Sequence, residues 1–320
     1  MSRFRTPIDP SKSLSILDYE KKILSLGSCF SVEVGTKLES SKFDVVQNPL
    51  GIAFNPIGIL NQLNSFKEMS LFDSLFVEHD EQFFNLLAHS EFRSSDLQSL
   101  KSILREQQGV LADSFSAADV VLITWGSAFA YRHQSSQCVV ANCHKQDSKL
   151  FAKDLVDPKT IIESYSKLFE ESSKKKFVIA VSPVRHIKDT LELNSVSKSV
   201  LRLAAHHLSE DFDNVHYFPS FEVLMDDLRD YRFYKSDMLH PSEDAVQYIW
   251  EFFQSRFMSQ QCLSILKRWH KVYKALQHRP FNVSGPGHQD FLKSLLDKLF
   301  ALPLDTSVEE ELLRKKIKNS

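Results

Sequence analysis

The sequence predicts an α/β fold. A parallel sheet is flanked on both faces by helices, in three layers, and a helical C-terminal extension follows. Two observations carry this expectation. Short apolar, β-branched runs, at 23–26, 119–124 and 177–181, alternate with segments of helical periodicity. After about Ser259 such runs stop and only amphipathic segments remain. The expected organisation is an α/β domain over 1–258 and a helical extension over 259–320.

Residues 23–26 read as the first strand and 31–40 as the helix behind it. Residues 44–47 form the second strand. Asn48-Pro49-Leu50-Gly51 then loops into a helix near 56–66. Asn55 is placed to cap that helix, and Pro56 sits at its first position, where a missing amide costs nothing. The Phe-rich stretch 76–90 reads as a strand pair or an inserted loop, and 95–115 has helical spacing. Residues 119–124 form another buried strand, ending at Trp125-Gly126.

Next come a helix at 158–172, a strand at 177–181, a helix at 195–208 capped by Ser195, and a short strand at 215–218. Ser242 caps a helix over 242–257, with Glu243 and Asp244 in its first turn. In the extension, 262–277 is amphipathic, His278-Arg279-Pro280 breaks it, and 288–300 is helical again. Glu309-Glu310-Glu311 is spaced to pair with Arg314-Lys315-Lys316 along a solvated helix.

Composition narrows the function. Of 320 residues, 42% are hydrophobic and 25% charged, ordinary for a globular protein, and 25 Phe promise an aromatic core. The net charge of −2 leaves no basic excess to neutralise phosphates, so a nucleic-acid partner is not expected. No apolar run approaches the roughly 18 residues that span a bilayer. The polar start, Met1-Ser2-Arg3-Phe4, lacks the apolar centre of a secretory leader. Cys29, Cys138, Cys143 and Cys262 form no Cys-x-x-Cys pair and no zinc spacing. Reduced thiols in a cytoplasm are the simple expectation. His79, His89 and His144 suggest a metal by residue type only, and no metal motif supports it.

The residues that point to chemistry lie at the two ends of the α/β region. Gly27-Ser28-Cys29-Phe30 follows the first strand and opens a helix. A hydroxyl in that turn stands at the C-terminal edge of the sheet, where open α/β sheets bind ligands. About two hundred residues later comes Asp237-Met238-Leu239-His240-Pro241. His240 is placed to take a proton from Ser28, and one turn brings the Asp237 carboxylate onto the imidazole. The Ser28 amide, at a helix N-terminus, is a candidate oxyanion donor. Cys29 is the alternative nucleophile, expected to point to the other side of the turn, into the core. Arg185 and His186 follow the strand 177–181 and are expected to face the same cleft, Arg185 as a clamp for an anionic group. Tyr231 and Tyr234 are core aromatics or the lining of a sugar site.

These residues also carry a resemblance. Leu26-Gly27-Ser28-Cys29-Phe30, the run from Asn48 to Pro56, Thr124-Trp125-Gly126, Asn142-Cys143-His144-Lys145, Ser182-Pro183-Val184-Arg185-His186, Asp230 to Tyr234 and Asp237 to Pro241 resemble the GSCFA family over roughly residues 5–255. That family is placed among SGNH-hydrolase-like proteins. Ser31 stands where the name motif ends in Ala. The resemblance implies a flavodoxin-like three-layer fold, with Ser28, Asp237 and His240 as a catalytic triad. It implies Gly51 as a second oxyanion-hole amide. A third donor, an Asn, is expected in the segment where this chain has Gly126-Ser127-Ala128, so Ala128 occupies the Asn position. Asn142 is the candidate replacement, with Arg132 and Arg185 as further candidates at the substrate.

The expected function is then that of an SGNH-like hydrolase or acyltransferase. It acts on an ester through an acyl-enzyme, with an O-acetyl group on a carbohydrate as the implied substrate class. No cofactor is implied, and the oligomeric state stays open. The alternative is a non-catalytic ligand-binding protein on a decayed scaffold of this kind, motivated by the missing Asn.

Overall fold

The computed structural model describes residues 6–9, 13–277 and 286–318. The expected helix break at His278-Arg279-Pro280 lies outside the described residues. Strand β1 is Lys22–Gly27 and helix α1 Cys29–Ser40. Then come β2 (Asp44–Gln47), α2 (Pro56–Asn64), α3 (Met69–Asp73), a hairpin of β3 (Phe76–His79) and β4 (Gln82–Asn85), and α4 (Leu97–Ala117). Strand β5 is Val120–Trp125, followed by β6 (Phe129–His133), β7 (Val139–Val140) and β8 (Phe151–Leu155). The rest of the α/β region is α5 (Pro158–Glu171), β9 (Lys176–Val181), α6 (Leu191–Asp211), β10 (Val215–Phe218), a short α7 (Ser220–Glu222) and α8 (Glu243–Phe257). Helices α9 (Gln260–Leu276), α10 (Pro286–Phe300) and α11 (Ser307–Lys318) complete the chain.

The central sheet has five parallel strands in the order β10-β9-β5-β1-β2. In chain order that is 2-1-3-4-5, the flavodoxin-like arrangement, whose switch point lies between β1 and the third strand, β5. Each inner strand feeds two cores. Leu24, Leu26, Val121, Ile123, Trp125, Ile179 and Val181 pack toward one face, with α2, α4, α5 and α6. Ile23, Val120, Leu122, Val178 and Ala180 pack toward the other, with α1 and α8. Burial on both faces is why these strands read as continuous apolar runs rather than alternating ones.

Local signals set several helix ends. Asn55 accepts from Gly58 N at 2.6 Å and Ser242 from Ala245 N at 3.3 Å. Helix α6 begins one turn earlier than the spacing predicts. Thr190, not Ser195, is its N-cap, accepting from Leu193 N at φ +90°. The antiparallel sheet β7-β6-β8 was not expected. Its strands are short and mostly half-exposed, so they carry no apolar run to read.

The C-terminal helices join the core on the α1 side. Leu266, Trp269, Leu292, Leu295, Leu299 and Leu313 belong to the same apolar cluster as Leu38 and Phe43. Trp269 Nε1 donates to Ser40 O at 2.8 Å, and Lys42 pairs with Glu309 at 2.7 Å. These contacts gather at the C-terminal end of α1, about 18 Å along that helix from its start. The expected pairing along the last helix forms between Glu311 and Lys315 at 2.6 Å.

Strand β1 closes against β5 at one glycine. Gly27 has φ +130°, and a Cβ there would stand 2.2 Å from Thr124 O and 2.8 Å from Thr124 N, both backbone atoms. Gly27→Ala is therefore expected to cost about 2–4 kcal/mol. Thermal unfolding followed by circular dichroism measures this, and an unchanged midpoint would show that the strands separate there without penalty.

Candidate active site

The turn after β1 is held from three sides. Gly27 N donates to Asn48 Oδ1 at 2.8 Å, and Ala53 N donates to Gly27 O at 3.1 Å. Asn48 Nδ2 donates to Ser31 Oγ at 2.9 Å, and that hydroxyl donates to Ser28 O at 2.7 Å. Ser28 is the N-cap residue of α1, but its side chain makes no capping bond. Its Oγ is buried and has no hydrogen-bond partner among the described residues. Cys29 is the first helical residue and is half-buried.

The second half of the site is a tight turn before α8. Asp237 Oδ1 accepts from Leu239 N at 2.8 Å and His240 N at 3.0 Å, while Oδ2 meets His240 Nδ1 at 2.7 Å. Three bonds to one carboxylate hold its pKa down at about 2, through the His240 and Leu239 amides first. The turn is pinned to its neighbours. Arg185 N donates to Leu239 O at 3.2 Å, and the Arg185 guanidinium lies 4.1 Å from the Tyr234 ring and 5.1 Å from Tyr231. Lys235 pairs with Glu33 of α1 at 3.7 Å. The bond to Asp237 places the proton on His240 Nδ1 and leaves the lone pair at Nε2.

That lone pair faces Cys29. His240 Nε2 stands 3.9 Å from Cys29 Sγ. Cys29 therefore does not turn into the core as expected: its sulfur faces the imidazole, while Ser28 Oγ makes no hydrogen bond among the described residues. Adjacent residues at the helix start project in different directions. Here Ser28 Cβ lies toward Gly126, where an added Cβ would stand 3.1 Å from it.

The expected oxyanion donors are engaged elsewhere. Ser28 N donates to Thr124 O at 3.0 Å, because β1 and β5 continue to pair through the elbow. Gly51 N donates to Asn48 O at 2.7 Å, closing its own turn at φ +78°. Asn142 Oδ1 accepts from His144 N at 2.9 Å and its amide donates to Leu86 O, so it serves a turn beside β4. Ala128 is buried, and its amide donates to Ser197 Oγ at 2.7 Å. Arg132 pairs across strands with Asp154 at 3.5 Å and donates to Gln137 O, so it is committed to the three-stranded sheet.

His186 does reach the site. Its Nε2 would stand 3.2 Å from a Cβ at Gly126, its ring meets Phe54 edge-on at 5.5 Å, and that nitrogen is buried without a partner among the described residues. Its backbone amide is held by Asn194 Oδ1 at 2.9 Å. Burial, followed by the Lys198 and His240 charges, pushes its pKa down to about 4, while Asp189 opposes the shift.

Lys198 is the residue that the motifs did not indicate. It is 1% exposed, and its Nζ donates to Gly126 O at 2.6 Å and Ser182 O at 2.7 Å. Those carbonyls end β5 and β9. One signal was available: Lys198 falls on the buried stripe of α6, with Asn194, Leu201, Ala205 and Leu208. Among the described residues, no group of three or more His, Cys, Asp or Glu side chains comes together as a metal set.

A five-stranded doubly wound sheet with a strand–elbow–helix at its switch point, faced by an Asp–His turn, defines the class of α/β protein. The chain belongs to the GSCFA family, whose model matches residues 22–253. The model of the GSCFA domain protein, C-terminal domain, matches residues 269–319. No curated protein and no solved structure matches the chain.

The depressed His186 pKa has a measurable consequence. The unfolded imidazole takes its proton near pH 6.5 and the folded one near 4. Between those values the unfolded chain binds more protons, so His186 removes stability as pH falls through that window. A ring-proton titration by NMR should place the His186 midpoint close to pH 4. A midpoint at the ordinary value would show that solvent reaches the ring.

Proposed function

We propose that this protein transfers an acyl group from an ester to water or to a hydroxyl, with Cys29 as nucleophile, His240 as base and Asp237 as its orienter. One observation carries the reading: His240 joins Cys29 Sγ, 3.9 Å from its Nε2, to Asp237, 2.7 Å from its Nδ1. Burial raises the thiol pKa, opposed by Lys198 and by the amides of Phe30 and Cys29, while Glu33 adds to the rise. The resting thiol is therefore protonated, and attack requires a base at the sulfur.

His240 Nε2 takes the thiol proton as sulfur bonds to the carbonyl carbon. The resulting oxyanion lies near the first amides of α1, which have no partner within the helix. The ester C–O bond breaks, and the leaving alkoxide takes the proton from His240. A water or hydroxyl then attacks the thioester, giving its proton to His240, and the thiol re-forms as that proton returns to sulfur.

An O-acetylated carbohydrate is the substrate class we favour. Tyr231, 62% exposed, and Met238, also exposed, lie on the segment that carries the Asp237–His240 turn and offer a face for a sugar ring. A small-molecule ester rather than a nucleic acid fits the near-neutral charge. Four free cysteines fit a reducing cytoplasm, and among the described residues no helix is long and apolar enough to cross a membrane. Ligand binding without chemistry is the second reading, favoured by the engagement of the Ser28 and Gly51 amides with backbone carbonyls.

Incubation with p-nitrophenyl acetate, followed by peptide mass mapping, separates these readings. An acetyl adduct is expected on Cys29, absent in Cys29→Ala and present in Ser28→Ala. Asp237→Asn should slow its formation by about 10²–10⁴-fold. An adduct that follows Ser28 instead would reverse the nucleophile assignment. The absence of any adduct on folded protein, with esters and acetylated sugars alike, would leave ligand binding as the function.

A further inference from the structure

We propose that Arg185, stacked on Tyr231 and Tyr234, is a recognition subsite for a negatively charged group, a carboxylate or a phosphate, carried by the sugar substrate. The inference deepens the reading of an O-acylated carbohydrate and rests on it for the claim that the bound molecule is the substrate.

The subsite begins with a local spacing. Tyr231–Phe233 form a single 3₁₀ turn, and Tyr234 N donates to Tyr231 O at 3.0 Å. Side chains three apart eclipse on such a turn. The two rings accordingly lie together, 5.9 Å apart and tilted by 41°. The Arg185 guanidinium lies against both, 4.1 Å from the Tyr234 ring and 5.1 Å from the Tyr231 ring. Tyr234 is buried and fixes the floor, while Tyr231 is open to solvent.

Stacking occupies the faces of a guanidinium and leaves its edge. That edge carries five N–H donors. One reaches Met238 O at a long 3.4 Å, and one lies toward the Tyr234 hydroxyl. No carboxylate among the described residues pairs with Arg185, whereas Arg105, Arg132 and Arg202 each have one. The donors left over belong to a planar fork that suits two oxygens of a carboxylate or phosphate. Arg185 is half-buried, so the fork is held in place yet can be reached.

The subsite and the base share one hairpin. Tyr234 and Pro241 form an antiparallel bridge, Lys235 N donates to His240 O at 2.8 Å, and Ser242 N donates to Phe233 O at 2.7 Å. Arg185 N donates to Leu239 O within that hairpin. A group bound on the Arg185 fork is therefore held at the turn that carries Asp237 and His240. The other charges there are committed, Asp237 to His240 and Lys235 to Glu33. A sugar acid or sugar phosphate matches both parts, its ring on exposed Tyr231 and Met238 and its charge on Arg185.

The test measures binding by calorimetry and needs no reaction. The probes are D-glucuronate, glucosyl phosphate, inorganic phosphate and, as the uncharged control, D-glucose. At least one of the two charged sugars should bind wild-type protein about tenfold tighter than glucose or better, the scale of hydrogen bonds to a charged group. Arg185→Gln should lose that advantage. Arg185→Lys keeps the charge without the fork and should recover only part of it. Which charged sugar binds tighter tells carboxylate from phosphate. Charged sugars that bind wild-type protein no tighter than Arg185→Gln would overturn the proposal. Inorganic phosphate that binds as tightly as glucosyl phosphate would overturn the sugar part of it.

Wild-type protein supplies a second measurement in case Arg185→Gln does not fold. Phenylglyoxal modifies arginines, and peptide mass mapping follows each one. The charged sugar should protect Arg185, and glucose should leave it reactive. An Arg185 that reacts equally with and without the charged sugars, or never reacts, would show that they do not use its edge. If charged sugars bind through Arg185 but no ester acylates Cys29, the subsite stands and the acyl-transfer reading fails. Acylation of Cys29 without any preference for charged sugars gives the reverse.

Discussion

Gly27 approaches Thr124 so closely that no side chain fits between the two strands. The rest of the site depends on that approach. With the strands in register to their ends, the Ser28 amide completes one more rung to Thr124 O, and the chain has to leave the sheet at a positive φ. Helix α1 then begins at once. Ser28 is left packed toward β5, and Cys29 stands at the first helical position. Its half-buried sulfur lies by the Phe30 and Cys29 amides and faces His240. A wider turn would free the Ser28 amide and turn both side chains elsewhere.

The charges around this elbow form a graded set. Asp237 is held ionised by three donors within its own turn and fixes the His240 tautomer. His186 is kept neutral by burial and by the cations near it. Lys198 is buried with no carboxylate paired to it among the described residues, and burial pushes its pKa down to about 7. Burial alone opposes a thiolate. Lys198 and the Phe30 and Cys29 amides oppose that effect without overcoming it, so the thiol pKa stays raised.

The C-terminal helices act on the other end of the same helix. Trp269 bonds to Ser40, and the apolar faces of α9, α10 and α11 extend the cluster that holds α1 and α8 to the sheet. This packing lies at the end of α1 away from the elbow. Its effect on the site is through the anchoring of α1.

Much of the fold was legible because its signals are local. The inner strands are apolar on both faces, so they stand out as runs, and Asn55 and Ser242 announce their helices. The start of α6 was not legible, since its cap is a threonine at φ +90°, a conformation that neighbours impose. The sheet β7-β6-β8 was not legible either, because its short strands owe their pairing to partners rather than to their own pattern.

At the site the same division holds. Asp237 and His240 are three residues apart, so one turn joins them wherever it lies, and the sequence alone determined that pair. It also determined the elbow, through a glycine between a strand and a helix. Only the tertiary structure decided which neighbour in Ser28-Cys29 faces the imidazole, since that depends on the backbone angle at Gly27 and on a loop two hundred residues away. It alone decided which amides are already engaged and that Lys198 lies beneath the site. Those outcomes depend on which atoms the packing brings together, and no local spacing encodes that.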